Sequence, residues 1–379
     1  MPIMVPTGLG DGPHLAAVLT SSLAAMRSEQ NELRLPPARS FVVVLVDGLG
    51  MSSLRARSGH ARVLSSAIGK WSTARTGGPT TTAAAITSLT TGAAPGRHGV
   101  VGYSVLDPAT DRLVNQLSGW GGTVDPAVWQ RCPTLFETAD VRSVVVGGRR
   151  YSDSGFTAAA LRGAEYVPVD GIAERFGAAA ELTSSADPTV VYLYVPELDM
   201  AAHAGGTQSD RYLAGLEAVD AAVASGDRAL APGVGMLVTA DHGMVDVSAD
   251  RHVLIDERPG LVDGVRHVGG DPRLLHLYLE PDLPLHAAEG LAERWRDAEG
   301  HRAWVFTRAE AVAAGVFGPV DDEVLPRIGD ILVGAREPIA YYDARTASAS
   351  SRAMVGQHGS FTAAEREVPL LRFGAARRG

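Results

Sequence analysis

Four short apolar runs recur along the chain, and the stretches between them have helical periodicity. The runs are Phe41 to Val46, Arg142 to Val146, Val190 to Val195 and Gly235 to Thr239, and Arg211 to Ala224 is one of the helical stretches. Continuous apolar runs of this length are typical of buried parallel strands. Strands that alternate with helices predict a three-layer α/β/α sandwich around a central, mostly parallel sheet.

The pattern changes near residue 266. Leu274 to Leu279 and Ala303 to Phe306 have the composition of strands, His286 to Ala298 is an amphipathic helix, and a second short helix follows. Ile331 to Val333 then resembles a strand that returns to the central sheet. We therefore expect two units, a catalytic core of residues 1–265 and 326–379 and a small inserted α+β cap of residues 266–325.

Composition excludes several classes of protein. The 379 residues carry a formal net charge of -9, which disfavours binding to a nucleic-acid duplex by general attraction. Lys70 is the single lysine, so the lysine of a P-loop is missing. Cys132 is the single cysteine, which excludes an intrachain disulfide and a cysteine-based zinc cluster. Leu15 to Met26 is too short and too interrupted by polar residues to cross a bilayer, so we expect a cytoplasmic protein without a membrane partner.

Polar residues directly follow three of the apolar runs, at the strand ends where ligands bind in open parallel sheets. Asp47 follows the first run, Asp199 and His203 follow the third, and Asp241 and His242 follow the fourth. Each of these alone is also typical of a turn, a helix cap or a hydrogen-bonded loop histidine. Because the carboxyl ends of parallel strands meet at one edge of the sheet, the three positions together predict a cluster of carboxylates and imidazoles.

A late histidine adds to this cluster. Of the eleven histidines, His203, His242 and His358 have this kind of setting, the last in the loop of residues 355–360. Oxygen and nitrogen ligands without sulfur suit Zn²⁺ or a similar divalent ion. The residues therefore predict a metal centre at the edge of the sheet.

A candidate nucleophile lies among the three threonines Thr80 to Thr82. Pro79 and these threonines predict the start of a helix whose body is Ala83 to Leu89 and which ends at Gly92. Capping of the helix explains one threonine. A hydroxyl at a helix N-terminus beside a divalent ion would have its alkoxide favoured by both the ion and the helix dipole, which is the setting of a nucleophile.

Taken in order, these motifs resemble the alkaline phosphatase superfamily and, within it, the type I phosphodiesterase/nucleotide pyrophosphatase family. The order is a strand followed by Asp-Gly, threonine before a helix that ends in Thr-Gly, Asp-x-x-x-His, Asp-His-Gly and a late His-Gly, and it runs from about Phe41 to Leu371. The resemblance implies an alkaline phosphatase-like fold. It also implies a hydrolase of phosphodiester or nucleotide pyrophosphate bonds that acts on a small-molecule phosphate ester or nucleotide.

The resemblance further implies two zinc ions and a covalent phospho-enzyme intermediate. The nucleophile falls on Thr82, with Thr81 as the nearest rival. The implied ligands are Asp47, Asp241, His242 and the hydroxyl of Thr82 for one ion, and Asp199, His203 and His358 for the other.

The sequence departs from the family at one position. Where the phosphodiesterases have an asparagine that contacts the phosphoryl group, this chain has Tyr103. We expect Tyr103 to bind substrate, together with Thr81, Arg149 and Tyr151. Arg149 and Tyr151 follow the second apolar run, and a solvated basic loop is the other interpretation of that segment.

Two alternatives stay open. The same metal site would serve a phosphomonoesterase or an enzyme similar to phosphonoacetate hydrolase, and the tyrosine at position 103 keeps this possibility in view. A non-catalytic metal-binding relative would have the fold and the ligands without turnover. The sequence leaves the oligomeric state open.

Overall fold

The computed structural model describes residue 6 and residues 12–122, 124–284 and 286–377. The outermost parts of the expected catalytic core, residues 1–5, 7–11 and 378–379, lie outside the described residues. The strands, numbered in chain order, are β1 Ser40–Val46, β2 Thr73–Arg75, β3 Ser104–Asp107, β4 Arg112–Asn115, β5 Arg142–Gly147, β6 Glu165–Pro168, β7 Thr189–Val195, β8 Val234–Thr239, β9 Val245–Asp246, β10 His252–Leu254, β11 Val265–Asp271, β12 Leu274–Leu279, β13 Ala303–Thr307, β14 Ile331–Ala335, β15 Ala340–Tyr342, β16 Gly356–Gln357, β17 Glu367–Pro369 and β18 Leu371–Gly374.

The helices connect these strands in the alternating order that the sequence predicts. The α-helices are α1 Ala17–Met26, α2 Met51–Ala56, α3 Arg62–Ser66, α4 Thr82–Thr91, α5 Pro95–His98, α6 Pro126–Trp129, α7 Leu135–Thr138, α8 Gly155–Ala160, α9 Ile172–Leu182, α10 Glu197–Gly205, α11 Asp210–Ala229, α12 Ala287–Glu299, α13 Arg308–Ala313, α14 Ala349–Arg352 and α15 Ala363–Arg366. Single turns of 3-10 helix lie at Ser58–His60, Arg149–Tyr151, Ala249–Arg251, Ile255–Glu257 and Leu325–Arg327.

The central sheet has six strands in the order β18-β8-β1-β7-β5-β6. The five strands from β8 to β6 run parallel, and β18 lies antiparallel to β8 at the edge. All four predicted apolar runs are strands of this sheet, and every residue of β1 is buried. Helices α1, α9 and α11 pack against the sheet. The α/β fold with a mostly parallel sheet is therefore confirmed.

A second sheet of four antiparallel strands, in the order β11-β12-β14-β13, follows in the chain. Together with α12 it encloses its own hydrophobic core, in which Trp295 is fully buried. The expectation that the run at Ile331 returns to the central sheet is wrong, because β14 pairs with β12 and β13. The edge of the central sheet beside β8 is already occupied by β18, so β14 completes the second sheet instead.

Two glycines allow the loops after β1 and β8 to touch each other. A Cβ atom on Gly50 would lie 2.8 Å from Cα of Gly243, and a Cβ on Gly243 would lie 2.0 Å from the carbonyl oxygen of Ala364. The main-chain N–H of Gly243 also donates to the carbonyl oxygen of Glu365. Larger residues at either glycine would therefore push the two loops apart.

Over the residues that the structure describes, none of the helices is both long and apolar enough to cross a membrane.

Candidate metal centre and active site

Strand ends position the candidate ligands at one edge of the central sheet. Asp47 directly follows β1, and Asp241 lies two residues beyond the end of β8. The turn after β1 holds these two together, because the N–H of Gly48, a residue with φ of +75°, donates to Oδ1 of Asp241 at 3.1 Å. A side chain at position 48 would meet the backbone of Asp199 at 3.1 Å, so the third acidic residue also lies against this turn.

Asp199 and His203 are on α10, which begins directly after β7. Their spacing of four residues places both on one helix face, as the sequence predicts. His358 reaches the same place by another route. β16 ends at Gln357 and pairs with β9, which follows the loop that contains His242. The seven residues expected to bind metal are thus brought together from five parts of the chain.

The first ligand group consists of Asp47, Asp241 and His242, all of them buried. Their ligand atoms all lie within 4.8 Å of one another. Nε2 of His242 is 3.6 Å from Oδ1 of Asp47 and 3.4 Å from Oδ2 of Asp241. Oγ1 of Thr82 is 3.1 Å from the same Nε2.

The second ligand group consists of Asp199, His203 and His358. Oδ1 of Asp199 is 3.2 Å from Nε2 of His203 and 3.9 Å from Nε2 of His358. The ring of His358 also stacks on the ring of His242, with centroids 3.7 Å apart. The two groups therefore adjoin each other through this pair of imidazoles.

Main-chain carbonyl oxygens fix the orientation of all three imidazoles. Nδ1 of His203 lies 2.7 Å from the carbonyl oxygen of Gly356. Nδ1 of His358 lies 2.9 Å from the carbonyl oxygen of Thr80, and Nδ1 of His242 lies 3.2 Å from that of Gly243. A carbonyl oxygen can only accept, so each neutral ring carries its proton on Nδ1. The Nε2 atoms, which face the carboxylates, then carry the lone pair, and this is the arrangement of a metal-binding histidine.

The charges of the cluster fit a divalent cation. Among the described residues, the ion-pair partners of Asp47, Asp199 and Asp241 are all histidines. Oδ1 of Asp47 and Oδ2 of Asp241 are buried and have no hydrogen-bond partner among the residues that the structure describes. Buried carboxylates without a cation are costly, so oxygen atoms left open in this way indicate a site for positive charge.

The pKa shifts of Asp47 and His358 agree with this interpretation, whereas the pKa of His203 is raised in spite of burial, because of its hydrogen bond to Asp199. Burial raises the pKa of Asp47 well above its usual range, and the carboxylates of Asp241 and Asp199 raise it further. Burial also lowers the pKa of His358 well below its usual range, as do the neighbouring rings of His242 and His203. A neutral imidazole and a crowded pair of carboxylates are the state that a metal ion stabilises.

Thr82 is the first residue of α4 and lies beside the first ligand group. Thr81 is the N-cap of the helix, where its Oγ1 accepts a hydrogen bond from the N–H of Ala84 at 3.4 Å. Thr80 donates its hydroxyl to the carbonyl oxygen of Ser360 at 2.8 Å. The capping and loop contacts thus engage Thr80 and Thr81, whereas the hydroxyl of Thr82 faces the imidazole of His242.

A small cavity of about 190 Å³ opens on one side of Asp47, Thr82 and Asp199. Its wall is rich in aromatic side chains: Tyr151, Phe156, Tyr166, Tyr192 and Tyr194. Tyr194 donates to Oδ2 of Asp47, and burial raises the pKa of Tyr194 well above its usual range, so that this phenol keeps its proton.

A larger cavity of about 600 Å³ opens on the other side, between the ligand groups and the second sheet. Thr82, Tyr103 and the three members of the second ligand group line it, and so does Asp271 at the end of β11. Asp271 is 7% exposed, and burial raises its pKa well above the usual range of a carboxyl.

The structure places two of the four expected substrate contacts in the cavities and two outside them. Tyr103 lines the larger cavity and Tyr151 lines the smaller one. Arg149 is exposed and lines neither cavity, and its main-chain N–H donates to Asp170. Thr81 is buried as a helix cap. The geometry therefore supports Tyr103 and Tyr151 as contacts and gives no support to Arg149 and Thr81.

Sequence reasoning missed Tyr194 and Asp271. A signal for Tyr194 is present, since Tyr192 and Tyr194 alternate within an apolar strand and so share one face of the sheet, directly before the turn to α10. Asp271 had no comparable signal, because it lies at the end of a strand in the second sheet and reaches the site only through tertiary packing.

Comparisons with known proteins agree with this geometry. The model of the family described as type I phosphodiesterase/nucleotide pyrophosphatase matches residues 41–361. A search of curated protein sequences gave no match to this chain. Among solved structures, murine ectonucleotide pyrophosphatase/phosphodiesterase 5 is similar, with 16% identity, a TM-score of 0.67 and coverage of 88% of each chain.

Phosphonoacetate hydrolase from Sinorhizobium meliloti 1021, solved with phosphonoacetate, is also similar. It has 21% identity and a TM-score of 0.68, and the match covers 89% of this chain and 91% of that one. At such identities the likeness concerns the fold, which is that of the alkaline phosphatase superfamily. Because the family model spans most of the sequence, this chain belongs to the type I phosphodiesterase/nucleotide pyrophosphatase family.

Proposed function

We propose that this protein is a two-metal phosphohydrolase that cleaves phosphodiester or nucleotide pyrophosphate bonds through a threonine nucleophile. The observation that carries the proposal is the position of Thr82. Its hydroxyl lies at the start of α4, 3.1 Å from His242 and beside a buried cluster of aspartates and histidines. Membership of the phosphodiesterase family supports the same reaction class.

Zinc is the metal that we propose. Asp47, Asp241, His242 and Thr82 would hold one ion, and Asp199, His203 and His358 would hold the other. When bound, such ions favour the ionised form of a ligating hydroxyl and neutralise the charge of the phosphoryl group. A lysine is then not needed for phosphate, in keeping with the single lysine of the chain.

The reaction proceeds in two displacements. Oγ1 of Thr82 forms a bond to phosphorus while the bond from phosphorus to the leaving oxygen breaks, and the leaving group departs in line with the attack. The first N–H groups of a helix have no intrahelical acceptor, so the start of α4 favours the negative charge of the phosphoryl group. Water then hydrolyses the ester on Thr82 and restores its hydroxyl.

Two cavities receive the two substituents of a phosphodiester. A nucleoside or another flat group would pack against Tyr151 and Phe156 in the smaller cavity, where aromatic faces are available. The murine relative has been solved in complex with AMP, as a threonine-to-alanine variant described as inactive, which supports both the nucleotide and the nucleophile. Tyr103 would donate to a phosphoryl oxygen from the wall of the larger cavity.

A phosphomonoesterase or a phosphonoacetate hydrolase-like enzyme is the second candidate. Tyr103, which stands where the diesterases have asparagine, is the observation that favours this candidate, and phosphonoacetate hydrolase shares the fold. A non-catalytic metal-binding relative is the third, and the presence of Thr82 with all six protein ligands around it argues against it. A cytoplasmic location stays a prediction, based on the single cysteine, which is typical of a reducing compartment.

Hydrolysis of bis-p-nitrophenyl phosphate and of p-nitrophenyl phosphate by the zinc-loaded protein tests the proposal. We expect faster hydrolysis of the diester, lost on addition of a chelator and restored by zinc. Faster hydrolysis of the monoester would favour the second candidate. Tight binding of two ions without turnover of either ester would favour the non-catalytic relative.

A further inference from the structure

A buried ion pair joins the second sheet to the loops of the candidate metal centre. Arg273 lies in the turn between β11 and β12, and Glu365 lies on α15. Neither side chain is exposed to solvent. Nε of Arg273 donates to Oε1 of Glu365 at 2.8 Å, and Nη2 donates to Oε2 at 2.9 Å, so the contact is bidentate.

The hydrogen-bonding capacity of this pair is fully used. The three remaining N–H groups of the guanidinium donate to the carbonyl oxygens of Ala335, Glu337 and Ile339. The carboxylate accepts twice more, from the N–H of Ser360 at Oε1 and from the hydroxyl of Thr362 at Oε2. An arginine has five donor groups and a carboxylate about four acceptor positions, so all of them are satisfied here.

Glu365 contacts the loops of two candidate ligand histidines at once. Its main-chain carbonyl oxygen accepts from the N–H of Gly243 at 2.8 Å, directly after His242. Its side chain accepts from the N–H of Ser360 at 3.0 Å, two residues after His358. The rings of His242 and His358 stack on each other and belong to different ligand groups. A single residue is therefore bonded to the loops that determine how the two groups meet.

The loop that follows His358 also contacts the segment of the candidate nucleophile. Thr80 donates its hydroxyl to the carbonyl oxygen of Ser360 at 2.8 Å and accepts from the N–H of Gly359 at 3.0 Å. The turn between β11 and β12 packs on the same loop, since a Cβ atom at Gly359 would lie 2.8 Å from Cβ of Asp271. The second sheet is therefore in direct contact with the segments that carry the ligands.

We propose that Arg273 and Glu365 are positioning residues of the metal centre, and that through them the second sheet fixes the spacing of the two ligand groups. This inference rests on the proposed two-metal function and deepens it by naming residues that act on the ligands through the main chain. A buried ion pair is a poor means of stabilising a fold, because hydrophobic residues of similar volume are often as stable or more so. A bidentate contact does fix geometry, which a pair of ligand groups acting on one substrate requires.

Zinc affinity and the visible spectrum of the cobalt-substituted protein test the proposal, because both depend on ligand geometry and neither requires turnover. Glu365→Gln keeps the size of the side chain and removes its charge and its bidentate contact. We expect zinc to bind this variant about tenfold or more weakly than the wild type, as for other partners that orient ligands. The cobalt absorption bands should change in position or intensity. Zinc affinity equal to that of the wild type would overturn the proposal.

Glu299→Gln is the matched control. Glu299 on α12 is also a buried carboxylate, and it binds Arg302 in the same bidentate way, at 2.7 and 2.9 Å. This variant should lose thermal stability but keep the zinc affinity and the cobalt spectrum of the wild type. A loss of zinc affinity as large as in Glu365→Gln would show a general loosening of the fold and would overturn the assignment.

A double variant separates positioning from stability. Glu365→Leu leaves the guanidinium of Arg273 buried without its counter-charge, whereas Arg273→Met combined with Glu365→Leu removes both charges. In chelator, where metal adds nothing to stability, the double variant should melt at a higher temperature than Glu365→Leu. We expect zinc affinity to stay low in both. Recovery of zinc affinity together with the melting temperature would overturn the proposal, because the pair would then serve only the stability of the fold.

This inference and the proposed function fail separately. A wild-type protein that binds two zinc ions but hydrolyses neither p-nitrophenyl ester would refute the proposed reaction, and the zinc affinities of the variants would still decide the role of the pair. Active variants with unchanged zinc affinity would refute the positioning role of Arg273 and Glu365 and leave the reaction standing.

Discussion

The phenolic hydroxyl of Tyr194 lies 2.5 Å from Oδ2 of Asp47 and donates a hydrogen bond to it. The bond occupies one carboxylate oxygen and leaves Oδ1 to face Nε2 of His242 at 3.6 Å. Tyr194 thus decides which oxygen of Asp47 is available to a metal ion.

Tyr194→Phe should lower activity or metal affinity by about 10- to 100-fold, because a ligand loses the partner that orients it. Zinc affinity and kcat/KM measure the effect. Tyr192→Phe is the matched control, since Tyr192 lines the same cavity and its hydroxyl has no partner among the described residues. Equal losses in the two variants would show that the hydrogen bond to Asp47 has no special role.

Thr82→Ala should reduce hydrolysis by a factor of about 10³ or more, since the group that attacks phosphorus is removed. Thr82→Ser retains a hydroxyl and should retain part of the activity. Thr81→Ala removes a helix cap and should instead lower the free energy of unfolding by about 1 kcal/mol. Activity that survives in Thr82→Ala but not in Thr81→Ala would move the nucleophile to Thr81.

Removal of metal should lower both activity and thermal stability. A chelator leaves the carboxylates of Asp47, Asp199 and Asp241 crowded, whereas an ion at 100 times its dissociation constant stabilises the folded state by about 2.7 kcal/mol. Elemental analysis should find two zinc ions in the wild type and fewer in His358→Ala. The control is His267→Ala, whose ring pairs with Asp111 away from the cluster. An unchanged melting temperature in chelator would argue against a metal centre.

Acid should destabilise the protein in part through His98. Burial lowers the pKa of this imidazole from 6.5 to about 3, while its Nδ1 accepts from the N–H of Val100 and its Nε2 bonds to Ser88 of α4. Between these values the unfolded chain binds a proton that the folded chain does not. Stability therefore falls as the pH decreases below about 6.5, by up to about 1.4 kcal/mol per pH unit for this group.

His98→Gln removes this titration and should flatten the dependence of unfolding free energy on pH between about 6 and 4. Urea unfolding at several pH values measures the slope. A variant with the slope of the wild type would show that His98 takes up its proton without unfolding.

Sequence patterns identified the central sheet well, because buried parallel strands are continuous apolar runs and polar residues at their ends are conspicuous. This pattern predicted that Asp47, Asp241 and His242 lie close together, and in the structure they do. The same pattern did not predict the pairing partner of Ile331–Ala335, because an apolar composition does not show which of two sheets a strand joins. The alternation of Tyr192 and Tyr194 in β7 is a local signal for Tyr194. The position of Asp271 beside the site depends on contacts between distant segments, and local patterns contain no record of such contacts.

The close approach of Gly50 and Gly243 restricts how this centre can be redesigned. At these two glycines, the loops that carry Asp47 and Asp241 approach each other through backbone atoms, without a side chain between them. The spacing of the two loops at this point is therefore close to the minimum that the van der Waals radii of the backbone allow. An engineer who seeks a different metal preference would therefore exchange the donor atoms, because a larger residue at either glycine would displace the loops that carry them.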